Sequence, residues 1–483
     1  MEQLLYHSTR GGASGFSASE AIFKGIAPDG GLFVPDSIPK IDIDAATLGY
    51  QDLAVEILKR WLSDYSLQEL ADSAQRAYSE KFETELIAPV TEHAGYYFLE
   101  LYHGKTLAFK DMALCLLPHL MKHAARRRGP RKKTAILTAT SGDTGKAALE
   151  AFSGISDIDI VVFFPNDGVS DMQKLQMQTQ EGENVFVAGV RGNFDDTQTE
   201  VKRIFSDPPE GFSLSSANSI NIGRLVPQIV YYFYAYGQMV ENGALNLGEK
   251  INFTVPTGNF GNILAGWYAK EMGLPVNKLI CASNDNKVLY DFFSTGVYDK
   301  NREFVLTASP SMDILISSNL ERLICHLSGE AETRRLMESL LSQGRYAFTH
   351  EVSGFAGGFA SGERAKQGIG EMFGNGYLID PHTAVAYEVY KSYRESNGDE
   401  TPNVILSTAN PFKFPESVLE AIDPSLKGKG AMESAQALSL MSGLEIPRQL
   451  RELERKEKRH ETVCDRLDMK KVAAEFLNRR NEF

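Results

Sequence analysis

An alternation of short apolar runs with longer helical patterns, which begins at about residue 97, constrains the fold of this chain more than any other feature. The runs at 134–138, 251–255 and 404–407 have the character of buried strands, and each leads into a polar loop. Repeated strand–loop–helix units build parallel sheets with helices on both faces. Ligands bind in such sheets where the loops leave the carboxyl ends of the strands. We therefore predict an α/β fold with its functional site at these loops.

Composition and charge narrow the class of protein. Over 483 residues, a hydrophobic fraction of 43% and a charged fraction of 23% are typical of a globular protein, which excludes the disordered and fibrous classes. The net charge of −13 argues against nucleic acid or an anionic membrane as a partner. No apolar run reaches the ~18 residues of a membrane helix, and the first residues do not form a secretory signal. The four scattered cysteines favour a reducing cytoplasm.

Helical patterns also occur on either side of the alternating region. Residues 68–80 predict an amphipathic helix. From about residue 428 to the end the chain is highly charged, with RELERKEKRHE at 451–461, and this pattern predicts a solvated helix. A partner-binding helix is the alternative for this tail.

Two glycine-rich loops have the composition of anion-binding sites. The first, TSGDTG at 140–145, is not an NTP-binding P-loop, because Thr140 and Ala147 stand where that motif needs Gly and Ser or Thr. It is an anion cradle at a helix N-terminus or, alternatively, a helix cap with tight-turn glycines. The second, TGNFGN at 257–262, follows a strand and precedes a helix, which suits a phosphate group.

A lysine in an apolar segment is a candidate nucleophile. Lys110 lies between the runs LAF and MAL. A lysine that loses water in such a place has a lowered pKa and becomes a reactive amine. The alternative is a lysine that reaches solvent at a helix start and pairs with Asp111. His119 and His123 share one helix face, but no third ligand accompanies them, so we expect no metal.

Taken together, these blocks resemble the threonine synthase family, in the longer branch found in many bacteria and in fungi. The matching segments run in order from the start of the chain to about residue 422, and their joint occurrence is highly specific. They are YHSTRG at 6–11, GIAPDGGLFVP at 25–35, HGKTLAFKD at 103–111, LTATSGDTGKAA at 137–148, SANSINIGRLVPQIVYYF at 216–233, PTGNFGNILAGWYAKEMGLP at 256–275, SPSMDILISSNLERL at 309–323 and STANPFKFPESV at 407–418.

The resemblance implies a fold and a division of the chain. The family uses pyridoxal 5′-phosphate and has the fold of the tryptophan-synthase β subunit, called fold type II, with two parallel-sheet α/β lobes. We expect an N-terminal α+β domain at 1–95 and a catalytic region at 96–430. Within that region the smaller lobe is expected at roughly 112–245 and the larger lobe in the remainder. A C-terminal helical extension is expected at 431–483.

The resemblance also assigns residues to the cofactor, position by position. Lys110 corresponds to the lysine that is linked covalently to pyridoxal phosphate. Thr408 corresponds to the threonine beside the pyridine nitrogen. Asp143 stands where shorter-branch relatives carry Asn near the cofactor's 3′-oxygen. The cradle for the 5′-phosphate is formed by Gly258, Asn259, Phe260, Gly261 and Asn262.

A second group of residues corresponds to the substrate site. Ser141 and Thr144 match the segment that receives the α-carboxylate. The group that holds the substrate's phosphate is matched by Ser219, Asn221 and Arg224. An arginine suits this role because its planar fork meets phosphate oxygens in pairs. The sequence departs from the family at Lys105, where many relatives have Pro, and at Asn410, where relatives often have His.

The activity implied by the resemblance is the conversion of O-phospho-L-homoserine and water into L-threonine and inorganic phosphate. It is a lyase reaction, a γ-elimination followed by β-hydration, and the last step of threonine biosynthesis. One alternative is another fold-type-II enzyme, such as a serine or threonine dehydratase, which has less need for Arg224. A further alternative is a non-catalytic relative, which the presence of Lys110 disfavours. The expected partner is the small substrate, and the expected assembly is a monomer or homodimer.

Overall fold

The computed structural model of the protein describes residues 3–128, 133–140, 142–167, 169, 171–192 and 194–480. Its strands, in chain order, are β1 (Tyr6–Ser8), β2 (Phe33–Pro35), β3 (Val90–His93), β4 (Tyr96–Glu100), β5 (Lys133–Ala139), β6 (Ile158–Pro165), β7 (Val185–Arg191), β8 (Phe212–Ser215), β9 (Ile251–Pro256), β10 (Val276–Ser283), β11 (Val297–Asp299), β12 (Arg345–Ala347), β13 (Phe355–Phe359), β14 (Asn403–Ser407) and β15 (Val463–Asp465). Its helices are α1 (Ala18–Lys24), α2 (Tyr50–Trp61), α3 (Leu67–Tyr78), α4 (Asp111–Leu114), α5 (Leu117–Arg128), α6 (Asp143–Phe152), α7 (Asp171–Gln178), α8 (Phe194–Ser206), α9 (Ile222–Glu241), α10 (Gly261–Met272), α11 (Val288–Thr295), α12 (Leu320–Ser328), α13 (Glu330–Gln343), α14 (Gly362–Gly374), α15 (Pro381–Asn397), α16 (Pro415–Ile422), α17 (Ala431–Ser442), α18 (Arg448–Arg451) and α19 (Met469–Arg479).

Two parallel sheets form the frame of the molecule. The larger sheet has the strand order β13-β10-β9-β14-β4-β3, in which β3 runs antiparallel to β4 and the other neighbours pair in parallel. The smaller sheet has the order β15-β7-β6-β5-β8 and pairs in parallel along its described strands. The predicted α/β class with two parallel-sheet lobes is confirmed.

The inner strands are apolar along their whole length. β6, β9 and β14 are buried at every position. Parallel strands covered by helices on both faces need such continuous apolar sequences, because neither face meets water. The loops after β5, β9 and β14 leave the carboxyl ends of these strands, which is where the sequence predicted the functional site.

The N-terminal region packs against the larger lobe. β1 and β2 pair antiparallel, and α2 packs against α9. The hydroxyl of Thr9 donates to Glu321 in α12 at 2.6 Å, and Arg10 donates to both oxygens of the same carboxylate at 2.9 Å each. The helix predicted at 68–80 is confirmed as α3, which begins with a capping box.

The helix α9 joins parts of the chain that the predicted boundaries separate. It is apolar nearly all round and packs against α10 and α2. The smaller lobe predicted at roughly 112–245 included this helix, but its main contacts lie with the larger lobe and the N-terminal region. The boundaries near residues 95 and 430 stay predictions. Neither α9 nor any other helix in the described ranges is both long and apolar enough to span a membrane.

The tail is not the continuous helix that its charge pattern predicts. Residues 456–462 are not helical, and β15 adds a parallel strand beside β7 at the edge of the smaller sheet. The backbone N–H groups of Arg459 and His460 donate to the carbonyl of Gln178 at 2.9 and 3.1 Å. The helical prediction is therefore wrong for this stretch. Strand pairing with a distant segment decides its structure, and a local charge pattern carries no information about such pairing.

Candidate active site

Lys110 lies directly before α4 and is buried between the two lobes' loops. Its Nζ donates to Ser311 Oγ at 3.3 Å and lies 4.0 Å from Asp143 Oδ2. Burial lowers the pKa of the Lys110 amine to about 8; Asp143 opposes this shift, while Arg224 and Lys413 add to it. Near neutral pH about a tenth of this amine is therefore uncharged, far more than for an ordinary lysine, and the uncharged form is the one that acts as a nucleophile or a base.

The alternative in which Lys110 pairs with Asp111 does not match the structure. Asp111 accepts hydrogen bonds from the amide and the hydroxyl of Thr106, at 2.8 and 2.6 Å. Burial raises the pKa of Asp111 to about 6, although these two bonds oppose the shift. A side chain at Gly104 would place its Cβ 2.4 Å from Asp111 Oδ2, so the turn before Lys110 closes tightly on this carboxylate. Asp111 thus stabilises the turn through Thr106, and Lys110 is buried without an ion pair to Asp111.

Asp143, the first residue of α6, faces Lys110 on one side and Lys413 on the other. The Nζ of Lys413 lies 2.9 Å from Asp143 Oδ1 and also donates to the carbonyl of Thr106 at 2.8 Å. Burial disfavours the charged carboxylate, but Lys413 and Lys110 hold the pKa of Asp143 well below its usual range. Asp143 is therefore ionised and paired. Nothing in the TSGDTG loop indicates this ion pair, because its cation comes from residue 413.

Ser311 and His382 complete the surroundings of Lys110, and the sequence reasoning missed both. Ser311 Oγ lies within 3.4 Å of Asp143 Oδ2 as well as near Lys110. The backbone N–H of Ser311 donates to His382 Nε2 at 3.2 Å, and His382 Nδ1 lies 2.7 Å from the buried Asp380. This arrangement assigns the ring proton to Nδ1. Ser311 could have been found from the sequence, because it lies in the SPSMD segment at 309–313 that the resemblance already matched.

The loop 257–260 and the start of α10 form a compact cradle after β9. A Cβ at Gly258 would lie 2.4 Å from the carbonyl oxygen of Ser311, so the close approach requires glycine. Phe260 has a φ of 62°, a left-handed conformation that is strained for a side-chain-bearing residue and is typical of functional loops. The positive end of the helix dipole at Gly261 favours an anion here.

Asn262 has a free donor inside this cradle. Its Oδ1 accepts hydrogen bonds from the hydroxyls of Tyr231 and Tyr232, at 2.6 and 2.9 Å. Its buried Nδ2 has no hydrogen-bond partner in the part of the chain that the structure describes. Two bonds to the oxygen fix the orientation of the amide, and a buried donor without a partner is costly unless a ligand satisfies it. The loop therefore fits the phosphate group of a cofactor.

Arg224 is a buried cation without a counter-ion among the described residues. Its Nη1 donates to the carbonyl of Ala217 at 2.9 Å, while its Nε is buried and unpartnered within the described ranges. Burial lowers the pKa of the guanidinium to about 10, which leaves it charged at neutral pH. The side chain of Asn319 donates to the carbonyls of Ser219 and Asn259, at 3.2 and 2.9 Å, so the segment of Arg224 lies beside the cradle.

Asn221 is occupied by structural contacts. Its Nδ2 donates to the carbonyls of Ile22 and Ser216, both at 2.9 Å, and its Oδ1 accepts from the N–H of Gly223 at 2.9 Å. It therefore caps α9 and ties this helix to α1. A direct contact with a substrate phosphate stays a prediction, and the observed bonds give Asn221 a different role.

We expect Asn221→Ala to lower the free energy of unfolding by about 2–4 kcal/mol, since it removes a cap and leaves buried carbonyls unsatisfied. Urea denaturation measures this change. The matched control is Asn242→Ala at the exposed opposite end of α9, which should cost less than about 0.5 kcal/mol. Similar losses in the two variants would contradict the structural role.

The remaining predicted positions are placed as follows. The carbonyl of Thr408, directly after β14, accepts from the N–H of Phe109 at 2.8 Å, which brings Thr408 next to Lys110. Asn410 caps the short turn Pro411–Lys413 that carries Lys413. Thr144 lies in the first turn of α6 beside Asp143. Ser141 lies outside the described residues.

Lys105 does not belong to this group. Its side chain is 49% exposed, and its Nζ lies 3.7 Å from Glu150. A pair this long and this exposed contributes little to stability. Lys105 therefore faces solvent.

Three protein families match the chain. Residues 5–78 match the family described as "Threonine synthase N terminus". Residues 83–408 match the family described as "Pyridoxal-phosphate dependent enzyme". Residues 383–474 match the family described as "Threonine synthase, C-terminal". The last match covers most of the tail beyond residue 428, which the sequence segments had left unmatched.

Known proteins resemble the chain over most of its length. It is 41% identical to threonine synthase-like 1 from Homo sapiens, over 84% of this chain and 58% of that protein, so it spans less than two thirds of that relative. It is 38% identical to threonine synthase from Pseudomonas aeruginosa, over 86% of this chain and 90% of that one. The crystal structure of pyridoxal-phosphate-bound threonine synthase from Brucella melitensis aligns with a TM-score of 0.86 at 35% identity and covers 99% of both chains.

Proposed function

Since the chain belongs to the threonine synthase family of pyridoxal-phosphate-dependent enzymes, we propose that it converts O-phospho-L-homoserine and water into L-threonine and inorganic phosphate. The observation that carries this proposal is a buried amine, Lys110, close to a buried guanidinium, Arg224, that no described carboxylate neutralises. The reaction needs both groups, one to move a proton and one to hold a departing phosphate.

The residues around Lys110 fit pyridoxal 5′-phosphate, the cofactor of this family. Lys110 would hold it covalently, and Gly258, Asn262 and the amides at the start of α10 would hold its phosphate. The unpartnered Nδ2 of Asn262 supports this assignment. Thr408 would lie beside the ring nitrogen, and Asp143 near the 3′-oxygen. When bound, the cofactor supplies the electron sink that stabilises a carbanion at the substrate's Cα.

Lys110 and its neighbours carry out the proton transfers. Its uncharged amine takes the proton from the substrate's Cα and later returns a proton to that atom. Ser311 accepts a hydrogen bond from this amine and is itself fixed through its backbone by His382. The amine is thereby kept in one position through the remaining steps. Cβ gives up one proton and the phosphate leaves Cγ, after which Cγ takes up one proton. Water adds its hydroxyl at Cβ, and its other proton goes to the released phosphate.

Arg224 binds the phosphate of the substrate, with Ser219 in the same segment. A guanidinium in a buried site interacts strongly with an anion, because water does not screen it. Thr144 in the first turn of α6 would receive the α-carboxylate, and by the resemblance Ser141 would contribute to the same group. We further propose a reducing compartment such as the cytoplasm, which the four buried free cysteines support. A monomer or homodimer without a nucleic-acid or membrane partner completes the proposal.

The test is a paired product assay with O-phospho-L-homoserine and the cofactor-loaded protein. We expect inorganic phosphate and threonine in equal amounts in the same samples. Phosphate with a keto acid in place of threonine would show elimination without hydration and would overturn the proposed reaction. Turnover of serine or threonine, with no release of phosphate from phosphohomoserine, would favour the dehydratase alternative.

A further inference from the structure

One buried carboxylate, Asp143, is shared unequally by two lysines. Its Oδ1 lies 2.9 Å from the Nζ of Lys413, while its Oδ2 lies 4.0 Å from the Nζ of Lys110. The side chains of Asp143 and Lys413 are 3% and 1% exposed. A buried ion pair of this kind is costly to break, because a lone charge in the interior has lost its water. The shorter contact therefore fixes Asp143 on Lys413.

Lys413 is held by the main chain as well as by Asp143. Its Nζ donates to the carbonyl of Thr106 at 2.8 Å, and Asn410 caps the turn on which it lies. The N–H and hydroxyl of Thr106 bind Asp111, the residue that follows Lys110. Lys413 thus connects the loop after β14, the first turn of α6 and the turn that positions Lys110.

We propose that Lys413 is a positioning residue for Lys110: it retains Asp143 in the 2.9 Å ion pair and so withholds this carboxylate from the Lys110 amine. Without Lys413, the ion pair that Asp143 keeps among the described residues would be the one with Lys110, at 4.0 Å. A carboxylate in close contact stabilises an ammonium, so an even smaller fraction of the Lys110 amine would be uncharged at neutral pH. A protonated amine can neither bond to the aldehyde of the cofactor nor accept a proton from substrate.

The charged groups around Lys110 are consistent with a competition between Lys413 and Lys110 for Asp143. They come from the elements packed against it: Asp111 on α4, Asp143 on α6, Arg224 on α9 and Lys413 after β14. The other titratable neighbour is His382 on α15, whose Nε2 accepts a hydrogen bond from the N–H of Ser311. Asp111 and Asp143 favour the charged amine, and the two other cations oppose it. Removal of Lys413 subtracts one opposing charge and frees one favouring charge, and both effects keep the proton on Lys110.

The inference rests on the proposed role of Lys110, and its test does not depend on threonine formation. Cofactor-free protein is mixed with pyridoxal phosphate over a series of pH values, and the bond formed when the amine displaces water from the aldehyde is trapped by borohydride reduction. Mass spectrometry of the peptide with residue 110 then gives the rate of labelling. In the unmodified protein this rate should rise with pH through the pKa of Lys110, about 8.

We expect Lys413→Met to move this rise upward by about one pH unit, so that labelling near neutral pH falls about tenfold. Lys413→Arg, which keeps the charge, should retain the original profile. Lys105→Met, which removes an equal charge from an exposed side chain that does not contact Asp143, should also leave the profile unchanged. An unchanged profile in Lys413→Met would overturn the proposal.

A second pair of variants tests whether Lys413 acts through Asp143 and avoids an unpaired buried carboxylate. In the Asp143→Asn background, the further change Lys413→Met should shift the profile far less than it does alone. An equal shift in both backgrounds would show a direct effect of charge and would overturn the positioning role. Labelling at a lysine other than Lys110 would instead contradict the proposed function, so the two failures are distinguishable.

Discussion

Lys110→Ala should abolish turnover of O-phospho-L-homoserine, with a loss of at least about 10⁴-fold, since it removes the amine that we propose transfers the proton at Cα. The expected loss is large because no other described lysine can replace it. Lys413, the nearest alternative, is bound to Asp143 and to the carbonyl of Thr106. The measurement is the paired assay of phosphate and threonine, with the absorption spectrum of the cofactor recorded on the same samples.

The matched control for Lys110→Ala is Lys105→Ala. Both lysines lie in the segment HGKTLAFKD, but Lys105 is half exposed and has a weak pair with Glu150. We expect the control to keep its activity within about twofold, because surface substitutions of this kind have small effects. Turnover that survived in Lys110→Ala would show that the reactive lysine lies elsewhere.

The local features of the site could be predicted from the sequence because each is written in adjacent residues. The apolar runs that became β5, β9 and β14 and the loops after them are contiguous, so their periodicity and glycine content indicate both strand and cradle. The apolar residues on either side of Lys110 likewise indicate burial. These properties depend on a few neighbouring side chains, and the sequence displays them directly.

The charge balance of the site could not be predicted in the same way. Asp143, Lys413, Ser311 and His382 come from four separate elements and meet only after the two lobes are assembled. Lys413 lies between Phe412 and Phe414, which indicate burial as the apolar neighbours of Lys110 do, but nothing in this segment indicates which carboxylate it meets. The partner of a buried charge is a property of tertiary packing, which local patterns do not encode.

The C-terminal tail is a second part of the structure that local sequence patterns do not predict. Its charge pattern indicates a solvated helix, but Cys464 is buried in β15 and α19 packs apolar residues on the smaller lobe. A strand of three residues has too short a pattern to be recognised, and it forms here because the free edge of β7 is available. The pairing of β15 with β7 replaces the predicted helix here, and it becomes possible only when the smaller lobe has folded.

Arg224→Met should lower kcat/KM for O-phospho-L-homoserine by about 10²–10³-fold while the cofactor still binds, because it removes the cation that we propose binds the substrate's phosphate. The structural reason is that Arg224, within the described ranges, has an unsatisfied hydrogen-bond donor and no ion-pair partner. Its Nε is buried without a partner among the described residues, and no described carboxylate pairs with it. Arg224→Lys should be intermediate, since an ammonium keeps the charge but loses the planar fork that grips two phosphate oxygens.

A second buried arginine provides the control for this prediction. Burial lowers the pKa of Arg322 to about 10, as it does for Arg224. Arg322, however, donates to the carbonyls of Phe33 and Ile220, at 2.8 and 2.6 Å, and to the side chain of Asn319. Arg322→Met should therefore lower the unfolding temperature strongly and change the inhibition constant of inorganic phosphate little. Arg224→Met should raise that inhibition constant strongly and change the unfolding temperature less than Arg322→Met does. Equal loss of phosphate binding and of cofactor binding in Arg224→Met would make that arginine a structural residue.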